Sequence, residues 1–113
     1  MNTYFITRHQ GAIAWAQQQQ LTIDHFVRHL LMPYEEEIVD DQVSLDTLQK
    51  GDTVIGTLPI QIAAQVCSRG ANYYHLMLDI PAHLRGQNLS ATQMEECNAR
   101  IKPYQIKEIK NEE

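Results

Sequence analysis

The segment Thr3–Ala16, TYFITRHQGAIAWA, decides how the chain is read. Thr3-Tyr4-Phe5-Ile6-Thr7 is a β-branched and aromatic run, which predicts a strand. Arg8-His9-Gln10-Gly11 is a polar turn closed by glycine, and Ala12–Ala16 has helical composition. A strand feeding a helix through a tight turn is half of a βαβ unit. In open α/β sheets such turns line the ligand crevice beyond the carboxyl ends of the strands. Arg8 and His9 therefore stand where a ligand would be met. A permanently charged bidentate donor beside a group that titrates near neutrality suits an anion, phosphate above all.

Working outward, Gln17–Gln20 finishes the first helix. Ile23–Leu30 is expected to be the second strand, because a βαβ unit needs one there. His25 and His29 would share one face of it and are expected to be structural. Met32–Gln49 carries Glu35-Glu36-Glu37 and Asp40-Asp41 and reads as a solvated loop or a short exposed helix. These carboxylates are consecutive rather than spaced as in a calcium loop, so no metal site is expected. Gly51-Asp52 marks a turn, and Thr53–Thr57 reads as a central parallel strand because its apolar residues do not alternate. Leu58-Pro59 opens a helix that ends with Arg69 in its last turn and Gly70 as its stop. Asn72–Leu78 is a further strand ending at Asp79, followed by a loop at His83-Leu84-Arg85-Gly86. Ser90 and Gln93 have capping-box spacing, which predicts a helix over Ser90–Ala99. Arg100–Lys110 has the composition of a last strand that Pro103 confines to an edge, and the tail 111–113 should fray. The alternation implies an α/β fold, a mostly parallel sheet with helices on both faces.

Composition bounds the function. The 113 residues suit one domain spanning 1–113, with 43% hydrophobic and 20% charged residues. No run approaches a membrane span, and Met1–His9 lacks the basic n-region of a secretory signal. Cys67 and Cys97 match no metal or redox spacing. A cytoplasmic protein with reduced thiols is expected. The net charge of −5 argues against binding long nucleic acid, which depends on many cationic contacts. A small anion in a locally positive pocket is still allowed. There is no GxGxxG and no GxxxxGK[ST], which disfavours nicotinamide and P-loop enzymes, and no GxSxG. What remains is Arg8, His9, the Gly56-Thr57-Leu58 turn and Arg85-Gly86, cations and small residues on loops at strand ends. This set could hold a phosphodiester and stabilise the charge that develops as it is cleaved.

Together these motifs resemble a known family. Thr7-Arg8-His9-x-Gly11-Ala12-x-x-Trp15 opens the signature, and His29-Leu30 ends the second strand. The block Gly51-Asp52-x-Val54-Ile55-Gly56-Thr57-Leu58-Pro59 is the most specific part, and Arg85-Gly86-x-x-Leu89-Ser90 follows. The pattern resembles the small CRISPR-associated family called Csx-sixteen, which accompanies type III CRISPR systems. The resemblance implies a Rossmann-like fold related to the CRISPR-associated sensor domains that bind cyclic oligoadenylates. It also implies a ring nuclease that cleaves cyclic tetra-adenylate and switches the antiviral response off. No cofactor is implied: a ribose 2′-hydroxyl can attack the neighbouring phosphate without a metal. Arg8 and His9 are the expected catalytic pair, with Thr7, Gly11, Gly56, Thr57, Leu58 and Arg85 as ligand-binding residues. A homodimer is expected, because a two-fold axis matches a ring of four like phosphates. The alternative is a sensor or sponge that holds the ring without cutting it. The segment Met32–Gln49 looks longer than the family's usual link.

Overall fold

Thr53–Gly56 (β5) is apolar on both sides, and the fold is built around it. Val54 faces one layer of core and Ile55 the other. The structure, a computed structural model, describes residues 1–36 and 41–110. In chain order its elements are β1 (Thr3–Ile6), α1 (Gln10–Gln18), β2 (His25–Val27), β3 (His29–Leu31), β4 (Gln42–Ser44), β5, α2 (Ile60–Ser68), β6 (Asn72–Met77), α3 (Ala91–Glu96) and β7 (Arg100–Tyr104). Five strands form one sheet in the order β2-β1-β5-β6-β7, parallel except for β7. β3 and β4 form a separate parallel ribbon. The protein is thus α/β with a mostly parallel sheet, as the alternation implied. Among the described residues no helix is long and apolar enough to cross a membrane.

From β1 the chain steps to β2 on one side, and its return through β5 and β6 runs to the other. Right-handed crossovers in opposite directions put their helices on opposite faces. α1 accordingly packs with α3 over Phe5, Ile55 and Leu76, and α2 covers Val54 and Tyr73 on the far side. Trp15 Nε1 and Gln19 Nε2 both donate to Glu95 Oε1 at 2.9 Å and tie α1 to α3. The capping box at Ser90 and Gln93 forms as the spacing predicted. Asp52 is buried, and its carboxylate accepts the Asn2 and Gln49 N–H groups, so Gly51-Asp52 anchors the amino-terminal edge of β1 and β5.

Three expectations need correction. The strand over Ile23–Leu30 is broken at Arg28. Val27 and Leu30, three residues apart, reach the same core layer, which an unbroken strand of period two cannot achieve. At the break, Val27 C=O still accepts the N–H of Thr7, just after β1, while Arg28 N–H already donates to Asp41 C=O beside β4. His25 and His29 therefore part company: His25 stacks on Tyr4 in the main sheet, and His29 lies in the ribbon. Second, Met32–Gln49 is not wholly solvated. Met32, Val43, Leu45 and Leu48 are buried against α2's core, with β4 and a single 3₁₀ turn between them. Glu37 and Asp40 lie outside the described residues, as does the tail 111–113. Third, the last strand stops at Tyr104, its edge position and Pro103 as expected. Beyond it Ile106 N–H donates to Cys67 Sγ at 3.5 Å. Both cysteines are buried and free.

Candidate functional site

The strand order reverses between β1 and β5, and a crevice opens at such a reversal because neighbouring loops diverge there. A cleft of about 590 Å³ lies at this point. Its walls come from the carboxyl ends of β1, β2, β5 and β6 and from the loop before α3. The floor is aliphatic, with Ile6, Leu58, Ile62, Leu76, Leu89 and Met94 among its residues. The polar rim is concentrated on the β1–β2 side: Thr7, Arg8, His9, Arg28 and His29. Arg8 and Thr57, expected on one edge of the sheet, line this one cleft.

Local hydrogen bonds fix the rim. Thr7 Oγ1 accepts the His9 N–H at 3.1 Å and sets the turn into α1. Arg8 Nε donates to Arg28 C=O at 3.4 Å, and its two terminal amino groups have no hydrogen-bond partner among the described residues. The α1 and α2 N-termini have no side-chain cap, whereas α3 is doubly capped. First-turn N–H groups without intrahelical partners attract anions.

The other expected ligand residues have structural partners. Thr57 Oγ1 donates to Leu76 C=O at 3.0 Å, tying β5 to β6. Leu58 lines the cleft with its side chain, but its N–H donates to the Tyr73 hydroxyl at 3.0 Å. The backbone amide of that turn is therefore engaged rather than offered to phosphate. Gly56 is buried, and its C=O lies 3.1 Å from the same hydroxyl. A Cβ on Gly11 would sit 1.8 Å from Leu89 C=O, so glycine there lets α1 approach the backbone before α3. Arg85 stands on the loop that carries Gln87 and Leu89 into the cleft but does not itself line it. Asp79 accepts from Asn98, with Arg100 beside it at 3.4 Å, and these partners hold its carboxyl below the usual range.

Sequence reasoning passed over Arg28 and His29 as site residues. Their signal was a repeat: Arg8-His9 leaves β1 and Arg28-His29 leaves β2. β1 and β2 are paired in parallel, Ile6 against Val27, so the two dipeptides emerge at one edge. His29 Nε2 lies 3.0 and 3.2 Å from the two Glu35 carboxylate oxygens, and Glu35 Oε1 also accepts the Met32 N–H at 2.9 Å. Among the described residues, no three His, Cys, Asp or Glu side chains are grouped to hold a metal.

The model of a family described as "Putative CRISPR-associated protein (Cas_VVA1548)" matches residues 4–107. The chain belongs to this CRISPR-associated family. The matched span runs from β1 past β7 and includes every residue on the cleft rim. No curated protein and no solved structure matches the chain.

Proposed function

We propose that this CRISPR-associated protein is a metal-independent ring nuclease. It binds cyclic tetra-adenylate in the β1–β5 cleft and cleaves it, ending the antiviral signal of a type III CRISPR system. In this reading the fold is a Rossmann-like relative of the CRISPR-associated sensor domains, and the family is the one called Csx-sixteen. The observation that carries it is the cleft itself, with an aliphatic floor and an arginine-histidine rim beside two uncapped helix N-termini. Adenine suits the floor and phosphate suits the rim. The chain is acidic overall at −5, so this rim is a local reversal of charge rather than a general affinity for nucleic acid.

A cleft of about 590 Å³ holds part of such a ring rather than four nucleotides. Two protomers about a two-fold axis would present the rim twice and match the ring's symmetry. The chemistry needs no bound cofactor. A ribose 2′-oxygen attacks the adjacent phosphorus, the bond to the 5′-oxygen breaks, and a 2′,3′-cyclic phosphate forms. Arg8 stabilises charge on the non-bridging oxygens, and His9 donates a proton to the leaving 5′-oxygen.

The test is incubation with radiolabelled cyclic tetra-adenylate in EDTA, followed by chromatography. The expected product is a linear oligoadenylate with a 2′,3′-cyclic phosphate end. An intact ring recovered from a tight complex would make the protein a sponge. An intact ring with no complex would overturn both readings.

A further inference from the structure

Two histidines reach this rim, and their surroundings differ. His9 is exposed at the start of α1 with no side-chain partner among the described residues. His29 is three-quarters buried, and its ring is fixed by the Glu35 carboxylate through Nε2. Glu35 is fixed in turn: its Oε1 accepts the Met32 N–H. That backbone hydrogen bond is the main reason its carboxyl lies below the ordinary range, with His29 adding to it against the opposing effect of burial. An ionised carboxylate accepts and cannot donate, so it selects the His29 tautomer with the proton on Nε2. Nδ1 then carries a lone pair, and it has no hydrogen-bond partner among the described residues. Across the ribbon Gln42 pairs in register with His29, and its Oε1 is buried without a partner among the described residues. The environment of His29 is thus one that orients an imidazole and leaves one nitrogen basic.

We propose that His29 is the general base of the cleft, taking the proton of the attacking 2′-hydroxyl on Nδ1, and that Glu35 is its positioning residue. This rests on the ring-cleaving reading above. The 2′-O–H proton passes to His29 Nδ1 as the 2′-O–P bond forms. The P–O5′ bond breaks, and the 5′-oxygen takes a proton from His9. One proton is taken and one given, no water is consumed, and no oxidant or reductant is needed. The repeated Arg-His dipeptide then has a division of labour: His29, locked by a carboxylate, accepts, and His9, exposed at the start of α1, donates.

The simplest competing role is that His29 braces the turn at Met32–Glu35. Two variants separate the roles. Glu35→Gln keeps an oxygen for the Met32 N–H but can turn an amide N–H toward His29 Nε2, which moves the ring proton to Nδ1 and removes the base. His29→Ala removes the imidazole altogether. Single-turnover cleavage of cyclic tetra-adenylate should fall about 10²–10⁴-fold in His29→Ala, with ring affinity within a few-fold of the parent. Added imidazole should restore at least about tenfold of that loss, which a turn brace would not allow. Nitrogen-15 spectra of the free protein should show His29 protonated on Nε2 and bare at Nδ1, and the reverse in Glu35→Gln. A parent protein that cuts the ring while His29→Ala cuts within a few-fold of it would overturn the base assignment alone. A bare Nε2 in the parent would do the same without any substrate. A parent that binds the ring and never cuts it would overturn the enzyme reading and this assignment together.

Discussion

Replacing Tyr73 with phenylalanine tests whether the cleft's β5 wall is held by one buried hydroxyl. The residue is 1% exposed, and burial pushes its phenol pKa up, so the group stays a neutral donor and acceptor. It accepts the Leu58 N–H at 3.0 Å and has two possible acceptors, Gly56 C=O at 3.1 Å and His75 Nδ1 at 2.5 Å. One hydroxyl proton cannot serve both. All partners are satisfied when His75 Nδ1 carries a proton toward the oxygen and Tyr73 donates to Gly56. Tyr73→Phe keeps the ring volume and leaves no cavity, so the loss is polar alone. It strands the Leu58 N–H, which costs roughly 1–3 kcal/mol when fully buried, and takes one partner each from His75 Nδ1 and from the Gly56 carbonyl, which keeps its place in the ladder with β6. Leu58 borders the cleft, where water can reach its amide, so the expected total is about 2 kcal/mol. In urea the unfolding midpoint should drop by about 1 M with an unchanged slope. Affinity for cyclic tetra-adenylate should fall too, because the freed turn carries Leu58 and Pro59 of the cleft wall. A stability loss under about 0.5 kcal/mol, within the range of ordinary surface changes, would refute the hydroxyl's anchoring role.

Other perturbations have equally definite outcomes. Gly11→Ala puts a methyl 1.8 Å from Leu89 C=O, so it should destabilise by roughly 1–3 kcal/mol in chemical denaturation. An unstrained helix would instead gain about 0.5–1 kcal/mol from that change. Asp52's carboxyl is lowered first by the Asn2 N–H and then by the Gln49 N–H. Its contribution is therefore complete above the unfolded value of about 3.9 and is lost as pH falls through the lower folded value. Denaturation between pH 5 and 2 should show a flatter acid limb in Asp52→Asn than in the parent. Arg28→Ala should weaken cyclic tetra-adenylate binding by about 1.5–3 kcal/mol in titration calorimetry, and Arg85→Ala by less, because Arg85 stands outside the cleft lining.

The sheet and its helices were legible where local chemistry and burial agree. Thr53–Gly56 is apolar without alternation because both faces are covered, and Ser90 with Gln93 announces α3 by a bond pattern the backbone needs at that end. The break at Arg28 was not legible, because only the shared core of Val27 and Leu30 reveals it. The charges around Met32–Gln49 masked four buried apolar residues whose partners lie in α2 and β5. Arg8 and Thr57 could be placed on one edge from strand direction alone. Gly11, Gly56 and Leu58 looked like ligand contacts because a glycine or a free amide has the same appearance in sequence whether its partner is a phosphate or a neighbouring backbone. Their partners, Leu89 C=O and the Tyr73 hydroxyl, come from distant parts of the chain. Arg28 and His29 required recognising that the second strand's end faces the same crevice as the first.

The central claim is that the β1–β2 rim performs ring cleavage. Single-turnover rates and cyclic tetra-adenylate affinities of folded Arg8→Ala and His9→Ala, measured beside the parent in EDTA, test it most directly. In the proposed reaction Arg8 would meet phosphate charge in the ground state as well as in the transition state, so Arg8→Ala should lose both affinity and rate. His9→Ala should lose about 10²–10⁴-fold in rate while its affinity stays within a few-fold of the parent. Rates within a few-fold of the parent in both variants would contradict the claim and move the chemistry away from this cleft.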